Sequence, residues 1–487
     1  MKISPDLHMN RNQIETLFEN CQDLSIVPWQ YGPEMKYMSF SVYFESLIEE
    51  LKLNYMKATL QDLVTHEVGK ATMITPEEVI EFFSKNGISA QSAKMVENLE
   101  DAVDAIVSGN IVIFFDEWDR ALNYSANLIE TRQVNEPLAE SVVHGPREST
   151  VENLNKNIGM IRLRLKTPRF KIERIAAGIE AKTEIAFGYL DRAVNPETLA
   201  EFKKRISTIH QAEVLETSYI EDWIEDSNFS PFPQYRYTER PDVAAAALLD
   251  GKIIVMVQGT GSVMLCPGLF VEMMQSAEDY YQRTMIASLI RITRIFAFFI
   301  ALTLPSIYIA LSTFHPELIP TVLLLAILDS REGIPFPAFV EALIMEFFFE
   351  MLREAGVRLP KPIGSAVSIV GTLVIGEAAI TAGIASPIMV VVVALTGIAS
   401  FSIPQYNMAS ALRLLRFPLM IMAASLGGFG LMVGCIWILL HLACLRSLGQ
   451  PYLGSLAPVN MKYLRDVFVR APLRTFLRSP RNRHKQN

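Results

Sequence analysis

The chain has 487 residues and a formal net charge of −8, which argues against a generally basic nucleic-acid-binding protein. Apolar residues are concentrated after about position 290, whereas apolar and charged residues are interleaved before it. This uneven distribution predicts a water-soluble region followed by a membrane region. The four cysteines form no CxxC pair, which argues against a disulfide framework and a zinc site.

The predicted fold class is an α+β or α/β cytosolic region of two subdomains, followed by an all-α multi-pass membrane domain with re-entrant or interfacial helices. The N-terminus is polar and lacks the apolar core of a signal peptide, so we expect the first 290 residues to stay in the cytosol. The predicted divisions are an N-terminal tail at 1–29, subdomain 1 at 30–141, a connector at 142–167, subdomain 2 at 168–285, a transmembrane domain at 286–446 and a basic cytosolic tail at 447–487.

Subdomain 1 is predicted to combine helices with a buried strand pair. Helical patterns cover Val42–Leu60 and Pro76–Asn86. The apolar run Ile111–Phe115, followed by Arg120–Tyr124, predicts the two strands. The connector ends in an amphipathic stretch, Val151–Lys166.

Subdomain 2 is predicted to have the same mixed character. Glu184–Leu190 is typical of a strand, and Asn195 predicts the start of a helix over Pro196–His210. Ile253–Gln258 and Ser262–Leu265 predict a hairpin that turns at a pair of glycines. The hairpin turn lacks the spacing of a nucleotide-binding loop.

The membrane region opens with Arg291 and Arg294, whose positive charges predict that the spanning helix Ile295–Leu311 starts in the cytosol. Pro305 interrupts this helix. The segments that follow are Pro316–Leu328, which is too short to cross alone, the glutamate-bearing Phe336–Leu352, a Gly-rich pair at Ile363–Ile384 and Ile388–Ile403, an amphipathic piece at Met408–Arg416, and a last span at Phe417–Cys444.

Five crossings result if the glutamate-bearing helix spans fully, whereas two cytosolic ends require an even number. At least one segment between Pro316 and Leu352 is therefore expected to be re-entrant or interfacial.

Several residue blocks, in one order along the chain, match a known family. In the soluble region they include Gly145-Pro146-Arg147-Glu148, Thr238-Glu239-Arg240-Pro241-Asp242 and Glu278-Asp279-Tyr280-Tyr281. In the membrane region they include Leu304-Pro305-Ser306-Ile307-Tyr308 and Arg331-Glu332-Gly333-Ile334-Pro335. From roughly position 35 to its end, the chain resembles the A subunits of GerA-type spore germinant receptors.

The resemblance implies a receptor subunit in the spore inner membrane. The polar N-terminus and the Arg-rich tail predict that both termini are cytosolic. The resemblance also implies as partners a transporter-like B subunit and a lipoprotein C subunit, and a homo-oligomer for which the family suggests five copies. A ligand-gated cation channel that triggers germination is the leading functional hypothesis. The alternatives are a non-conducting scaffold that transmits a signal, and a SpoVAF-type paralogue that aids ion release. No enzymatic activity and no cofactor are expected.

Acidic residues on the glutamate-bearing helix are the first candidates for a site. Glu346, Glu350 and Glu354 share one helical face, and Glu341 lies about 140° away from Glu346. A solvated face of an interfacial helix explains them without function. The functional hypothesis is an acidic vestibule that attracts cations, formed by Glu341, Glu346 and Glu350.

Glu377 lies within an apolar run, where a carboxylate costs several kcal/mol unless it faces a polar interior or a partner. Gly364, Ser368, Thr372 and Gly376 step by four along the same segment. Close helix packing explains this stripe of small residues. A pore lined by these five residues explains the stripe and the glutamate together.

Four charged residues of the soluble blocks are candidates for subdomain or subunit contacts: Arg147, Glu148, Arg240 and Asp242. The stretch Lys462–Lys485 holds eight Lys or Arg and one acidic residue, which predicts binding to anionic lipid and no nucleic-acid role. The seven histidines make no HExxH motif, and we predict no catalytic residues and no metal site.

Overall fold

The computed structural model describes residues 2–31, 36–48, 53–54, 93–126, 137, 140, 144–358, 376–454, 456–457 and 466–472. These residues form two compact units. The first unit holds the described residues up to Glu225 together with Tyr237–Pro267. The second holds Asp226–Arg236 and the described residues from Gly268 onward.

The N-terminal part of the first unit is built on a five-stranded antiparallel sheet. Its strands are β1 (Leu24–Tyr31), β2 (Tyr37–Phe44), β3 (Ala93–Val96), β4 (Ile111–Phe115) and β5 (Ala121–Tyr124). They lie in the order β1-β2-β4-β5-β3. Helices α1 (Leu7–Leu17) and α2 (Leu99–Val107) pack against one face. The predicted strand pair at Ile111–Phe115 and Arg120–Tyr124 is confirmed.

The prediction of a helix over Val42–Leu60 is wrong for residues 42–48, because β2 extends to Phe44 and a 3₁₀ turn follows at Glu45–Leu47, whereas residues 53–54 are helical. Every residue from Ser39 to Phe44 is buried, so the hydrophobic pattern of a half-exposed strand is missing. The neighbouring β4 is likewise buried along its whole length. The helix predicted at Pro76–Asn86 lies outside the described residues.

A second five-stranded sheet forms the rest of the first unit. Its strands are β6 (Phe170–Ala177), β7 (Thr183–Leu190), β8 (Arg236–Thr238), β9 (Ile253–Val257) and β10 (Val263–Cys266), in the order β6-β7-β9-β10-β8. The helices are α3 (Leu154–Arg164), α4 (Pro196–Ile206), α5 (Thr217–Ile224) and α6 (Pro241–Leu249). The predicted strand at Glu184–Leu190 and the hairpin of β9 and β10 are confirmed.

Asn195 caps α4 as predicted, because its Oδ1 accepts a hydrogen bond from the backbone N–H of Glu197 at 2.9 Å. The helix ends at Ile206, four residues before the predicted end, and a 3₁₀ turn covers Ile209–Gln211.

The second unit is mostly helical. Its elements are α7 (Phe270–Met273), α8 (Thr284–Phe314), α9 (Thr321–Ser330), α10 (Ala338–Arg358), α11 (Pro387–Phe401), α12 (Tyr406–Cys444) and a hairpin of β11 (Arg446–Ser447) with β12 (Gln450–Pro451). Among the described residues, α8 and α12 are long and apolar enough to cross a membrane. Helix α8 continues through Pro305.

Helix α12 corrects two sequence-based predictions. Residues 408–416 do not form a separate amphipathic piece, because α12 continues without a break past Pro418. The break falls instead at Gly427, whose φ of 63° and ψ of −142° are not helical, so Phe417–Cys444 is not one straight span. Proline has a fixed φ that fits a helix, whereas glycine readily adopts the positive φ that ends one.

The two arms of α12, residues 406–426 and 428–444, fold back on each other. A β-carbon at Gly434 would stand 2.5 Å from Cδ2 of Leu419, and one at Gly430 would meet the backbone oxygen of Met422. Glycines on the second arm therefore allow the close approach of the first. The turn at Gly427 lies against Phe314, at the end of α8.

Candidate functional site

A buried ion pair joins three helices of the second unit. Arg416 on α12 contacts Glu346 on α10, with 2.5 Å between Nη1 and Oε2, and both side chains are almost completely buried. The Nε of Arg416 donates to the carbonyl oxygen of Ala301 on α8 at 2.9 Å. Proline has no N–H, so Pro305 leaves this carbonyl without its usual helical partner. The guanidinium satisfies the free carbonyl and neutralises the carboxylate at the same time.

A second buried carboxylate, Glu341, holds the start of α11. Its Oε1 accepts hydrogen bonds from the backbone N–H of Ser386, at 2.6 Å, and from the Ser386 hydroxyl. The same hydroxyl oxygen accepts from the N–H of Met389 at 3.2 Å, as an N-cap residue does. The first turn of α11 is therefore attached to α10 through one serine.

Glu350 completes the row of predicted vestibule residues. It contacts Arg353 on its own helix, and its Oε2 lies 3.8 Å from Nη1 of Arg413 on α12. Next along the helix, Glu354 pairs with Arg358 at 2.7 Å on an exposed surface. Each of the three glutamates on the acidic face, Glu346, Glu350 and Glu354, thus has an arginine within 4.0 Å. The vestibule role of Glu341, Glu346 and Glu350 stays a prediction.

The pore candidates fall mostly outside the described residues, since Gly364, Ser368 and Thr372 lie between 359 and 375. Gly376 and Glu377 belong to a helical segment at 376–381. A β-carbon at Gly376 would stand 3.5 Å from Cγ1 of Val390, so this glycine faces α11 of its own chain. Glu377 is exposed on the isolated chain. Their pore role stays a prediction.

The four charged candidates of the first unit differ in their surroundings. Arg240 and Asp242 form a two-pronged ion pair, with 2.8 Å between Nη2 and Oδ2 and 3.1 Å between Nε and Oδ1. Arg240 is buried. Glu148 is exposed and pairs with Arg164 at 2.6 Å, and Arg147 is exposed. A role for these residues in subunit contacts stays a prediction.

Sequence reasoning missed the ion pair of Asp23 with Arg162, which joins the loop before β1 to α3. Both side chains are buried, and Nη2 of Arg162 lies 2.7 Å from Oδ1 of Asp23. The guanidinium also lies over the ring of Phe44, with its carbon 3.9 Å from the ring centre. Burial alone would lower the pKa of Arg162, but Asp23 reverses the effect and raises it. Nothing in the sequence paired residues so far apart.

A further cluster missed from the sequence lies at the start of α8. Arg291 contacts Asp279 at 3.0 Å and Asp466 at 3.2 Å, and all three side chains are buried. Arg294 contacts the same Asp279 at 2.8 Å, and the Tyr280 hydroxyl donates to Asp466 at 2.6 Å. Of the two arginines that indicated membrane orientation, Arg291 therefore also binds a segment near the C-terminus, and Arg294 binds the residues just before α8.

The described part of the C-terminal tail contains one basic residue of the predicted lipid-binding stretch. Arg470 is buried and donates from Nη1 to the hydroxyl of Thr284 and to the carbonyl oxygen of Gln282, both at 3.0 Å. It is therefore not free to bind lipid in this structure. The other basic residues of Lys462–Lys485 lie outside the described residues.

The segment Asp226–Arg236 leaves the first unit and packs within the second. Ser230 Oγ lies 2.8 Å from Nε2 of His441, and the ring of Phe232 stacks on that histidine. The Tyr452 hydroxyl donates to the carbonyl oxygen of Pro233 at 2.7 Å, and Ser447 donates to that of Gln234 at 2.6 Å. The end of α12 and the β11–β12 hairpin thus hold this segment.

No group of three or more His, Cys, Asp or Glu residues in the described ranges has the placement to hold a metal ion.

Comparison with known proteins gives the family. Residues 12–482 match the family described as Bacillus/Clostridium GerA spore germination protein. "Uncharacterized membrane protein YfkQ" of Bacillus subtilis (strain 168) is 42% identical over 480 residues, which cover 98% of this chain and 91% of that protein. "Spore germination protein KA" of the same strain is 41% identical over 470 residues, with coverage of 96% and 85%.

Two further similarities concern another germination protein and a solved structure. "Spore germination protein A1" of Bacillus subtilis (strain 168) is 37% identical over 436 residues, with coverage of 89% of this chain and 88% of that protein. The crystal structure of the N-terminal domain of the A subunit of the Bacillus megaterium spore germinant receptor GerK3 aligns with 55% of this chain and 98% of that chain, at 24% identity and a TM-score of 0.42.

The resemblance inferred from the residue blocks is confirmed by these matches. Because the family match spans both units and the relatives exceed 30% identity over most of their length, the chain belongs to the GerA spore germination protein family.

Proposed function

We propose that this chain is an A subunit of a spore germinant receptor, and that copies of it oligomerise in the spore inner membrane as a ligand-gated cation channel. The observation that carries the proposal is the match over residues 12–482 to a family of spore germination proteins. A transporter-like B subunit and a lipoprotein C subunit are the proposed partners, on the family resemblance. The number of copies proposed is five, on the same ground.

The contacts of the second unit support a scheme of six membrane crossings. Helix α8 and the first arm of α12 run in parallel, because Ala301 lies beside Arg416 and Phe314 lies beside Gly427. Helix α10 runs the opposite way, since Ala338 clusters with Tyr308 while Glu346 reaches Arg416. The second arm of α12 returns antiparallel to the first.

The remaining crossings follow from α11. It runs parallel to α10, because Ser386 contacts Glu341 and Gly397 lies against Phe349. The scheme assigns the crossing in the other direction to Ile363–Ile384, the span predicted from the sequence, of which residues 363–375 lie outside the described residues. The six crossings are α8, α10, this segment, α11 and the two arms of α12. An even number places both termini on the same side, and the positive charges of Arg291 and Arg294 at the start of α8 indicate the cytosol. Helix α9, with ten residues, is too short to cross.

Glu377 is the proposed pore residue, because an exposed carboxylate on a membrane helix is costly unless water or a partner faces it. Purified protein in liposomes should conduct monovalent cations, and Glu377→Gln should assemble normally and conduct at least several-fold less. Glu354→Gln is the matched control, since it removes a charge from an exposed carboxylate at the end of α10.

In the same experiment, Gly376→Leu tests whether this glycine contributes to assembly of the oligomer. We expect it to weaken the oligomer, although its first contact is with Val390 of the same chain. Unchanged rate and selectivity for Glu377→Gln, together with normal assembly of Gly376→Leu, would rule out this pore assignment.

A non-conducting signal transducer is the second candidate function. The observation that favours it is the pairing of Glu346 and Glu350 with arginines, which leaves little net negative charge on that face. Spores of the host that lack this chain should germinate more slowly with the germinant in either case. Loss of germination together with an absence of cation flux from the purified protein would select the transducer.

A further inference from the structure

Glu341 has one carboxylate oxygen that accepts no hydrogen bond from the described residues. Oε1 is bound to Ser386, as described above, but Oε2 accepts no hydrogen bond although the side chain is completely buried. A buried carboxylate oxygen in this condition is unfavourable unless a ligand completes its surroundings. This oxygen lies where α8, α10 and the start of α11 meet.

Two further polar groups lie in the same part of the second unit. The Tyr308 hydroxyl on α8 is buried beside Ser386 and within electrostatic range of Glu341 and Arg331. The Nε of Arg331 lies 3.7 Å from Oε2 of Glu341, too far for a hydrogen bond. Three groups that normally bind something thus meet at one place.

Arg331 is only loosely held there. About a fifth of its side chain is exposed, and its Nη2 makes a long hydrogen bond of 3.3 Å to the carbonyl oxygen of Phe336. Arg416 approaches Glu346 more closely, at 2.5 Å with both side chains almost completely buried, than Arg331 approaches Glu341. Arg331 is therefore the kind of partner that another cation can displace.

We propose that Glu341, with the nearby Tyr308 hydroxyl, forms a binding site for a monovalent metal cation, and that Arg331 competes with the ion for the carboxylate. A single carboxylate balances one positive charge, and hydroxyl and carboxylate oxygens are the ligands that hard cations prefer. A divalent ion is disfavoured because the described residues contain no cluster of three acidic or other metal-binding side chains. This inference rests on the proposed function as a cation channel and adds a cation-binding site to it.

Thermal unfolding of the full-length protein in detergent tests binding without measuring flux. The probes are KCl and NaCl against N-methyl-D-glucamine chloride at equal ionic strength. Arg331→Gln should bind the metal ion at least about tenfold more tightly than the parent protein, because the competing charge is gone. Its midpoint should rise by about 2 °C or more in the metal salts. Arg353→Gln, which removes a charge at the opposite end of α10, should not gain this dependence.

Tyr308→Phe combined with Arg331→Gln tests the site if Glu341 variants fail to fold. The hydroxyl has no hydrogen-bond partner among the described residues, so the fold should tolerate its loss while the cation dependence shrinks or disappears. Equal midpoints of Arg331→Gln in metal and organic-cation salts, or a dependence unchanged by Tyr308→Phe, would refute the site. Flux through Glu377 variants is measured separately, so refutation of this site leaves the channel proposal standing.

Discussion

The guanidinium of Arg416 donates a hydrogen bond to the carbonyl oxygen of Ala301 on another helix, at 2.9 Å. This carbonyl is free because Pro305, four residues later, has no N–H to offer it. Arg416 also neutralises Glu346, so one side chain compensates for two features that would each be costly in an apolar helical unit. The proline, the arginine and the glutamate therefore act together.

Removal of one partner of this ion pair should cost more than removal of both. Arg416→Met leaves the Glu346 carboxylate buried without a counter-charge, and we expect a loss of about 3–5 kcal/mol in unfolding free energy. Arg416→Met combined with Glu346→Met should recover much of that loss. Denaturant unfolding in detergent measures both variants.

The control for this cycle is Arg358→Met, which removes the partner of Glu354 in an exposed pair. It should change the unfolding free energy by no more than about 0.5 kcal/mol. Equal effects of Arg416→Met and Arg358→Met would show that the buried pair has no special role in stability.

In the first unit, Asp23→Ala should be strongly destabilising because it leaves Arg162 buried and unpaired. We expect a loss of about 3–5 kcal/mol. Glu15→Ala, which removes the partner of the exposed Arg11, should cost no more than about 0.5 kcal/mol. Hydrogen exchange of α3 in the full-length protein reports the local loss, and matched exchange in the two variants would contradict the prediction.

Two glutamates in the first unit should respond to pH in opposite directions. Burial raises the pKa of Glu221 above 4.5, so its stabilising contribution is complete below that value and is lost as pH rises through the folded-state pKa. Glu221→Gln should therefore slow hydrogen exchange in α5 at pH 8 and have little effect near pH 4. The amide oxygen can still accept the hydrogen bond from the Tyr237 hydroxyl.

Glu213 should show the opposite dependence of stability on pH. Its carboxylate accepts hydrogen bonds from the backbone N–H groups of Glu180, Ala181 and Ile179, which lower its pKa below 4.5. Its contribution is present above that value and is lost as pH falls through the folded-state pKa. Glu213→Gln should speed exchange of the β6–β7 turn at pH 7 more than at pH 3. The same pH trend for Glu213→Gln and Glu221→Gln would show that these causes are wrongly assigned.

The six-crossing scheme predicts which cysteines react from outside. In a background with Cys21, Cys266, Cys435 and Cys444 changed to serine, Glu317→Cys, just beyond the end of α8, should react with a membrane-impermeant maleimide in intact cells. Arg446→Cys and a cysteine at Arg481 should react only after the membrane is opened. Labelling of Arg446→Cys in intact cells would require an odd number of crossings before β11.

Local sequence signals were sufficient to predict helices and strands that have a distinct hydrophobic period or a specific capping residue. Asn195 predicted the start of α4, and the predicted span Ile388–Ile403 begins one residue after the observed start of α11 at Pro387, because capping depends on residues next to each other in the chain. The residue blocks were also sufficient to identify the family. The end of α4 was missed, since helix ends depend on contacts beyond the local pattern.

Only the tertiary structure decided what the charged residues face. Helical projection placed Glu346 and Glu350 on one acidic face, but their arginine partners on α12 lie more than sixty residues away in the chain. The same limit hid the pair of Asp23 with Arg162 and the fold-back of α12 at Gly427. Periodicity fixes which side of a helix a residue occupies, whereas its charge partner depends on which helices pack together, and long-range packing has no signature in a local window of sequence.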